Sequence, residues 1–258
     1  MKWTNPVKQR LSSGGATFGC WLTFPSPHVA EVMANAGYDW ALIDMEHSPI
    51  TVERAAEMAM TFRGRPTVPL ARVPFNRPEY FKQALDAGAW GVVTPMVNTA
   101  EEAREAVASA HYPPFGMRGR ASARNMLSSG VSLAEYYRDS REAILVAAQI
   151  ETPQALANAE AIAQVPGVDV LFVGPLDLCT TLGVELGSAE FEEAAGGVLD
   201  TAERFGKAAG ILALDFEEPK RRLEQGFRFV GCMAERTCLQ LATQRIVAEM
   251  KQAVGGRQ

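Results

Sequence analysis

Ile144-Leu-Val-Ala-Ala-Gln-Ile-Glu151 and Val168-Asp-Val-Leu-Phe-Val-Gly174 are two short apolar runs of strand length. Each is followed at once by a turn or helix-opening signal, Thr152-Pro153 after the first and Pro175-Leu-Asp-Leu178 after the second. A strand, a turn and a helix, repeated, is the unit of a parallel sheet. Both runs also hand over with an acid, Glu151 in one case and Asp177 in the other. In a barrel of parallel strands the C-terminal ends share one rim. Two carboxylates arriving there from neighbouring strands can hold one hard divalent cation through oxygen ligands.

The same rhythm continues on both sides. Phe18 to Phe24, Trp40 to Glu46, Thr67 to Val73, Gly91 to Val97, Lys207 to Leu214 and Arg228 to Glu235 complete a set of eight strands. Between them, Pro27 to Ala36, Val52 to Phe62, Pro78 to Ala87, Thr99 to Ala110, Pro153 to Gln164, Glu190 to Phe205 and Pro219 to Gln225 carry helical spacing or an opening Pro, Thr or Ser, and Thr237 to Val254 closes the count. Gly37, Gly88, Gly167, Gly206 and Gly226 fall between a helix and the next strand, where helix C-terminal glycines belong. Eight even units with no split in the middle predict a single (β/α)8 TIM barrel over residues 1–258 and argue against an open doubly wound sheet. One connection, residues 113–137, is unusually long and rich in Gly, Ser and Arg. Simple topology places it on the rim opposite the strand exits, where it reads equally as a contact with a neighbouring subunit, with substrate, or as a solvated excursion.

Composition narrows the function classes. The 258 residues are 47% hydrophobic, enough for one large core, and a net charge of −5 argues against a nucleic-acid partner. No basic block suggests a membrane surface, and no apolar run approaches the roughly 18 residues of a membrane helix. Cys20, Cys179, Cys232 and Cys238 stand at no metal-binding spacing and read as reduced thiols, so a soluble cytoplasmic protein is expected.

The strand exits deliver Trp21 and Phe24, then Asp44, Glu46 and His47, then Arg72, Gln149, Glu151, Asp177, Asp215, and finally Glu235 with Arg236. Packing alone does not require so much charge there. None of the six lysines, Lys2, Lys8, Lys82, Lys207, Lys220 and Lys251, sits at a strand exit, which argues against a Schiff base and leaves a Lewis-acid metal to stabilise a carbanion beside a carbonyl. His47, alone among the three histidines, is at a strand exit and suits proton transfer near neutral pH; a histidine that only caps the strand is the structural alternative. Asp44 and Glu46 share one face of their strand and could orient that ring or bind water. Arg72 interrupts an apolar strand and suits an enolate oxygen, or a structural ion pair with Asp44 or Glu46. Glu151 and Asp177 taken singly could be a helix cap and a loop residue. Gly174 and Leu176 add the close backbone approach that an anion such as an α-keto acid needs.

Taken together, Trp40-Ala-Leu-Ile-Asp-Met-Glu-His47, Val68-Pro-Leu-Ala-Arg72, Leu85-Asp-Ala-Gly-Ala-Trp-Gly-Val-Val-Thr-Pro-Met96, Gly116-Met-Arg-Gly119, Gln149-Ile-Glu151 and Gly174-Pro-Leu-Asp-Leu178 resemble the HpcH/HpaI aldolase family, metal-dependent class II pyruvate aldolases of the 4-hydroxy-2-oxoheptanedioate aldolase type. The resemblance implies a phosphoenolpyruvate/pyruvate-type barrel with an exchanged C-terminal helix, assembled as a homohexamer, a trimer of dimers. It implies a divalent cation, Mg, Mn or Co, on Glu151 and Asp177, and pyruvate held by Gln149, Gly174, Leu176, Asp177 and Leu212. It assigns catalysis to His47 as base acting through water, to Arg72 as transition-state stabiliser, to Asp44, and to Asp86, which would raise the basicity of the histidine from a neighbouring subunit. The implied reaction adds pyruvate or hydroxypyruvate to an aldehyde and cleaves 4-hydroxy-2-oxo acids in reverse, with oxaloacetate decarboxylation as a side activity. Phe24-Pro-Ser-Pro27, Cys179-Thr180-Thr181 and the stretch after Arg120 depart from the family type, which places the open question on the aldehyde. The rival readings are an acyl-CoA lyase of the citrate lyase β or malyl-CoA type, and a non-catalytic barrel that binds a keto acid.

Overall fold

Eight parallel strands close on themselves in chain order in the computed structural model, which describes residues 2–120 and 129–255. They are β1 (Thr17–Leu22), β2 (Trp40–Asp44), β3 (Val68–Arg72), β4 (Gly91–Thr94), β5 (Leu145–Ile150), β6 (Val170–Val173), β7 (Ala208–Ala213) and β8 (Phe229–Ala234). The (β/α)8 barrel expected from the alternation is therefore the fold.

Period-two alternation divides each strand between two cores. Trp40, Leu42, Val68, Leu70, Leu145, Ala147, Val170, Phe172 and Phe229 fill the barrel interior. Ala41, Ile43, Ala71, Val146, Ala148, Leu171 and Val173 face the surrounding helices. The interior has room for large aromatic rings because glycines face them. A Cβ on Gly19 would come within 2.1 Å of the Trp40 ring, which stacks on Phe229 with centroids 4.1 Å apart.

Several elements depart from the sequence reading. A seven-residue helix, Pro6–Ser12, capped by the Asn5 side chain, puts Val7 and Leu11 into the interior core at the N-terminal end of the barrel. It is too short to show a helical period. The expected helix over Pro153 to Gln164 breaks at Asn158 into Pro153–Ala157 and Ala159–Ala163. The long connection contains a helix, Leu133–Ala143, opened by a Ser132/Glu135 capping box; residues 121–128 of that connection lie outside the described residues. The last helix, Glu235–Gly255, buries only Glu235, while Leu239, Ile246, Val247, Met250 and Val254 are exposed. Among the described residues no helix is long and apolar enough to cross a membrane.

Candidate active site

The strand phase that fills the barrel interior also selects the polar residues at its C-terminal mouth. Counting on by two from Trp40 and Leu42 reaches Asp44, from Val68 and Leu70 reaches Arg72, and from Leu145 and Ala147 reaches Gln149 and then Glu151. The inward face thus changes from apolar to charged within one residue pair, and Asp44, Arg72, Gln149 and Glu151 are all buried.

Asp44 and Arg72 are direct partners in the β2–β3 register. Arg72 donates from Nε and Nη2 to the two Asp44 oxygens at 3.0 and 2.6 Å, and its Nη1 lies 3.1 Å from Glu46 Oε2. Burial works against the guanidinium charge, but the Asp44 hydrogen bonds and the surrounding acids outweigh it, so Arg72 stays charged. The second Asp44 function is to shape the chain: Oδ1 accepts from the Glu46 and His47 N–H groups at 3.0 and 3.2 Å. Burial pushes the Glu46 carboxyl up to about 7, against the pull of Arg72 and helped by Glu151, Asp44 and Asp177. His47 is 59% exposed, with Nε2 3.8 Å from Glu46 Oε1, so the ring sits at the mouth.

Glu151, only 1% exposed, accepts from the Met96 N–H at 2.6 Å through Oε1 and is bonded through Oε2 to the Gln149 amide. Gly174 closes this pair from the next strand: a Cβ there would lie 2.5 Å from Glu151 Oε2 and 2.8 Å from Gln149 Nε2. Asp177 is not in a loop. It occupies the first turn of the helix Pro175–Leu182, whose N-cap is Gly174 and which has no side-chain cap, so first-turn N–H groups face the mouth with the positive end of the helix dipole. The carboxyl of Glu151 is raised above its ordinary value, first by burial and further by the Asp177 charge.

Asp44, His47, Arg72, Gln149, Gly174, Leu176, Asp177 and Leu212 line one cavity of about 210 Å³, floored by Trp21 and Phe172. Two unusual backbones adjoin it. Met96 and Met233 are the described non-glycine residues with positive φ, at 53° and 62°. Met96 aims its N–H at Glu151 and Met233 lines the cavity, a placement that matches the tendency of strained backbone to collect at functional sites. Neither was legible beforehand, because Thr94-Pro95-Met96 marks a turn without saying what its amide meets.

Among the described residues no group of three or more His, Cys, Asp or Glu side chains is placed to hold a metal. The pair Glu151 and Asp177 does fit a hard divalent cation that takes its remaining oxygen ligands from substrate and water. Both supply oxygen, their charges repel in a buried setting, and the Gln149 Oε1 beside them is buried without a hydrogen-bond partner. Other rim acids are otherwise engaged. Asp215 Oδ1 accepts from the Glu217 and Glu218 amides, and Glu235 accepts from the Thr23 and Phe24 amides at 2.6 Å each. Asp86 is on the helix Pro78–Ala87 and pairs with Arg118 at 2.7 Å, away from His47 within one chain.

A family model described as HpcH/HpaI aldolase/citrate lyase matches residues 17–239. The chain belongs to the HpcH/HpaI aldolase/citrate lyase family. It is 37% identical over 231 residues to the hydroxypyruvate/pyruvate aldolase of Roseovarius nubinhibens, covering 88% of this chain and 90% of that one. It is 36% identical over 250 residues to the 5-keto-4-deoxy-D-glucarate aldolase of Shigella boydii, covering 96% of each. Among solved structures, an HpcH/HpaI aldolase/citrate lyase family protein from Burkholderia cenocepacia superposes with a TM-score of 0.90 at 34% identity, over 96% of this chain and all of that one. The family fold and the charged barrel mouth thus coincide in this chain.

Proposed function

We propose that this family member is a divalent-metal-dependent aldolase that joins pyruvate or hydroxypyruvate to an aldehyde and cleaves 4-hydroxy-2-oxo acids in reverse. One observation carries the reading: a rigid Arg72 guanidinium, an exposed His47 and Asp177 line one cavity, with Glu151 bonded behind its Gln149 wall, and the four come from four different strand exits. The names of the Roseovarius and Shigella relatives support the substrate class.

Glu151 and Asp177 would hold the cation, Mg, Mn or Co, which supplies Lewis-acid polarisation of the keto oxygen. Gln149 and the first-turn amides at Leu176 and Asp177 bind the keto-acid carboxylate, with Leu212, Trp21 and Phe172 against its carbon chain. His47 Nε2 removes a proton from the carbon next to the carbonyl, directly or through water, and returns a proton to the oxygen of the captured aldehyde. Arg72 is held by both Asp44 oxygens, so its charge faces the developing enolate without reorganising. Oxaloacetate decarboxylation follows from the same site, since loss of carbon dioxide leaves the same enolate.

We further assign the exposed apolar residues of the last helix to burial against another copy, in a hexameric trimer of dimers whose neighbour brings Asp86 to His47, and the protein to the cytoplasm. The test is deuterium exchange into the methyl group of pyruvate, followed by proton NMR, in metal-stripped protein with and without Mn or Mg. Exchange only with metal, lost in His47→Ala and Arg72→Ala, supports the reading. Absence of exchange under both conditions refutes it and brings forward the acyl-CoA lyase and the non-catalytic binder.

A further inference from the structure

The N–H that reaches Glu151 Oε1 at 2.6 Å comes from Met96, whose φ of 53° is a backbone state that a residue with a long side chain rarely adopts. The Met96 side chain is exposed, so its own packing does not hold it there. The hold is polar and comes from two residues further on. Asn98 Nδ2 donates to the Met96 carbonyl at 2.9 Å, and the Val97 N–H between them donates to the Gln149 carbonyl at 3.3 Å. Met96 is thus fixed at both ends, by Glu151 at its N–H and by Asn98 at its carbonyl.

Asn98 is engaged at each of its four polar atoms, and each bond runs to a different residue. Its N–H donates to Glu102 Oε2 at 2.6 Å, in the first turn of the helix Ala100–Ala110. Its carbonyl accepts from Asn158 Nδ2 at 2.7 Å, so the break between the helices Pro153–Ala157 and Ala159–Ala163 presents a side-chain amide to the loop after β4. Its Oδ1 accepts from the hydroxyl of Thr152, the residue that follows Glu151. The loop after β4 is therefore stitched to β5 on both sides of Glu151, by Val97 at Gln149 and by Asn98 at Thr152. Carboxylates that bind metal depend on such outer partners for their orientation. We infer that Asn98 is a positioning residue: it holds the Met96 turn against Thr152, aims the Met96 N–H at Glu151, and so fixes that carboxylate for the proposed cation. Asn98 itself does not line the cavity. This rests on the metal-dependent reading above and adds to it a determinant of metal affinity that touches neither cation nor substrate.

The test is titration of metal-stripped protein with Mn2+, read by the electron paramagnetic resonance signal of the free ion, on unmodified protein, Asn98→Ala, Asn158→Ala and Thr99→Ala. Loss of an outer partner of a metal ligand weakens metal binding by about 10- to 100-fold, so the dissociation constant of Asn98→Ala is expected to rise at least roughly 10-fold. Asn158→Ala removes a single bond and leaves the Asn98 side chain in place, and a rise of roughly 3-fold is expected. Thr99→Ala is the control. It removes the cap of the neighbouring helix and lowers stability, but it leaves every Asn98 bond intact, so its dissociation constant is expected to match that of unmodified protein. A partly unfolded preparation has fewer sites of the same affinity, so a merely structural role does not move this constant. An unchanged constant in Asn98→Ala, or an equal rise in Thr99→Ala, overturns the assignment; if Asn98→Ala does not fold, an unchanged constant in Asn158→Ala overturns it. If unmodified protein binds no Mn2+ and shows no metal-dependent pyruvate exchange, the metal-dependent reading itself falls and takes this one with it.

Discussion

Replacing Gly174 by alanine tests whether the Glu151/Gln149 pair is positioned by the close approach of the next strand. The backbone at Gly174, with φ −87° and ψ 95°, is open to any L-residue, so the substitution costs nothing in local conformation. The effect is steric. The new methyl would lie 2.5 Å from Glu151 Oε2, where ordinary contact begins at 3.4 Å, so the carboxylate or the strand must yield by about 0.9 Å. Glu151 cannot swing away cheaply, because Oε1 is tied to the Met96 amide at 2.6 Å and Oε2 to Gln149. Overpacking of this kind costs about 1–3 kcal/mol, and a displacement near 1 Å at a reacting centre costs about 100-fold in rate. The expected result is a metal-dependent pyruvate exchange rate down about 100-fold and a Mn2+ dissociation constant up at least roughly 10-fold, with far-UV circular dichroism unchanged. Gly196→Ala is the control: it is mid-helix with nothing within 4 Å of the new methyl, and it should stabilise by about 0.5–1 kcal/mol. Unchanged Mn2+ affinity and exchange rate in Gly174→Ala would refute the reasoning.

Three further outcomes are expected. His47→Gln should lower pyruvate exchange by about 10²- to 10⁴-fold while leaving the thermal midpoint in place, because the ring is exposed and touches little; a comparable loss of stability in calorimetry would contradict this. Arg72→Leu should cost about 3–5 kcal/mol in chemical unfolding, since it leaves Asp44 charged, buried and unpaired, and Arg72→Leu with Asp44→Asn should recover part of that loss; no recovery in the double variant would show that the pair is not the cause. Burial, together with Lys8, Arg118 and Arg141, holds the His111 imidazole down at about 4, so the neutral ring contributes stability that is present above pH 6.5 and lost as pH falls towards 4. At about 1.4 kcal/mol for each pH step that loss approaches 3 kcal/mol, and His111→Gln should show an acid loss smaller by that amount when denaturant midpoints at pH 7 and pH 4 are compared.

The fold was legible because alternation and turn signals are local. Every strand needs only its own residues to show an apolar run, and a charged residue interrupting that run, as Arg72 does after Val68-Pro-Leu-Ala, marks the mouth of the barrel. What stayed hidden depends on partners remote in sequence or on segments too short to show a period. The helix Pro6–Ser12 is held by its Asn5 cap and by an interior core assembled from strands up to 222 residues away, neither of which leaves a periodic trace in seven residues. The break at Asn158 comes from a backbone at φ −103° and ψ 7° inside a sequence that otherwise reads as one helix.

The two glutamates Glu151 and Glu235 show where pattern stops and structure begins. Each stands at a strand exit and each is buried, and strand position alone does not separate them. The difference is the supply of donors. Glu235 receives two backbone amides at 2.6 Å and the Thr23 hydroxyl, which satisfy its charge with the protein's own groups and make it an anchor for the loop after β1. Glu151 receives one backbone amide and one side-chain amide, has Asp177 as a like-charged neighbour, and keeps the opposing backbone close only because residue 174 has no side chain. Left to itself that arrangement is electrostatically incomplete, and the proposed cation would complete it. Incomplete charge at the mouth of a finished barrel is the physical basis on which the proposed cation is placed between Glu151 and Asp177.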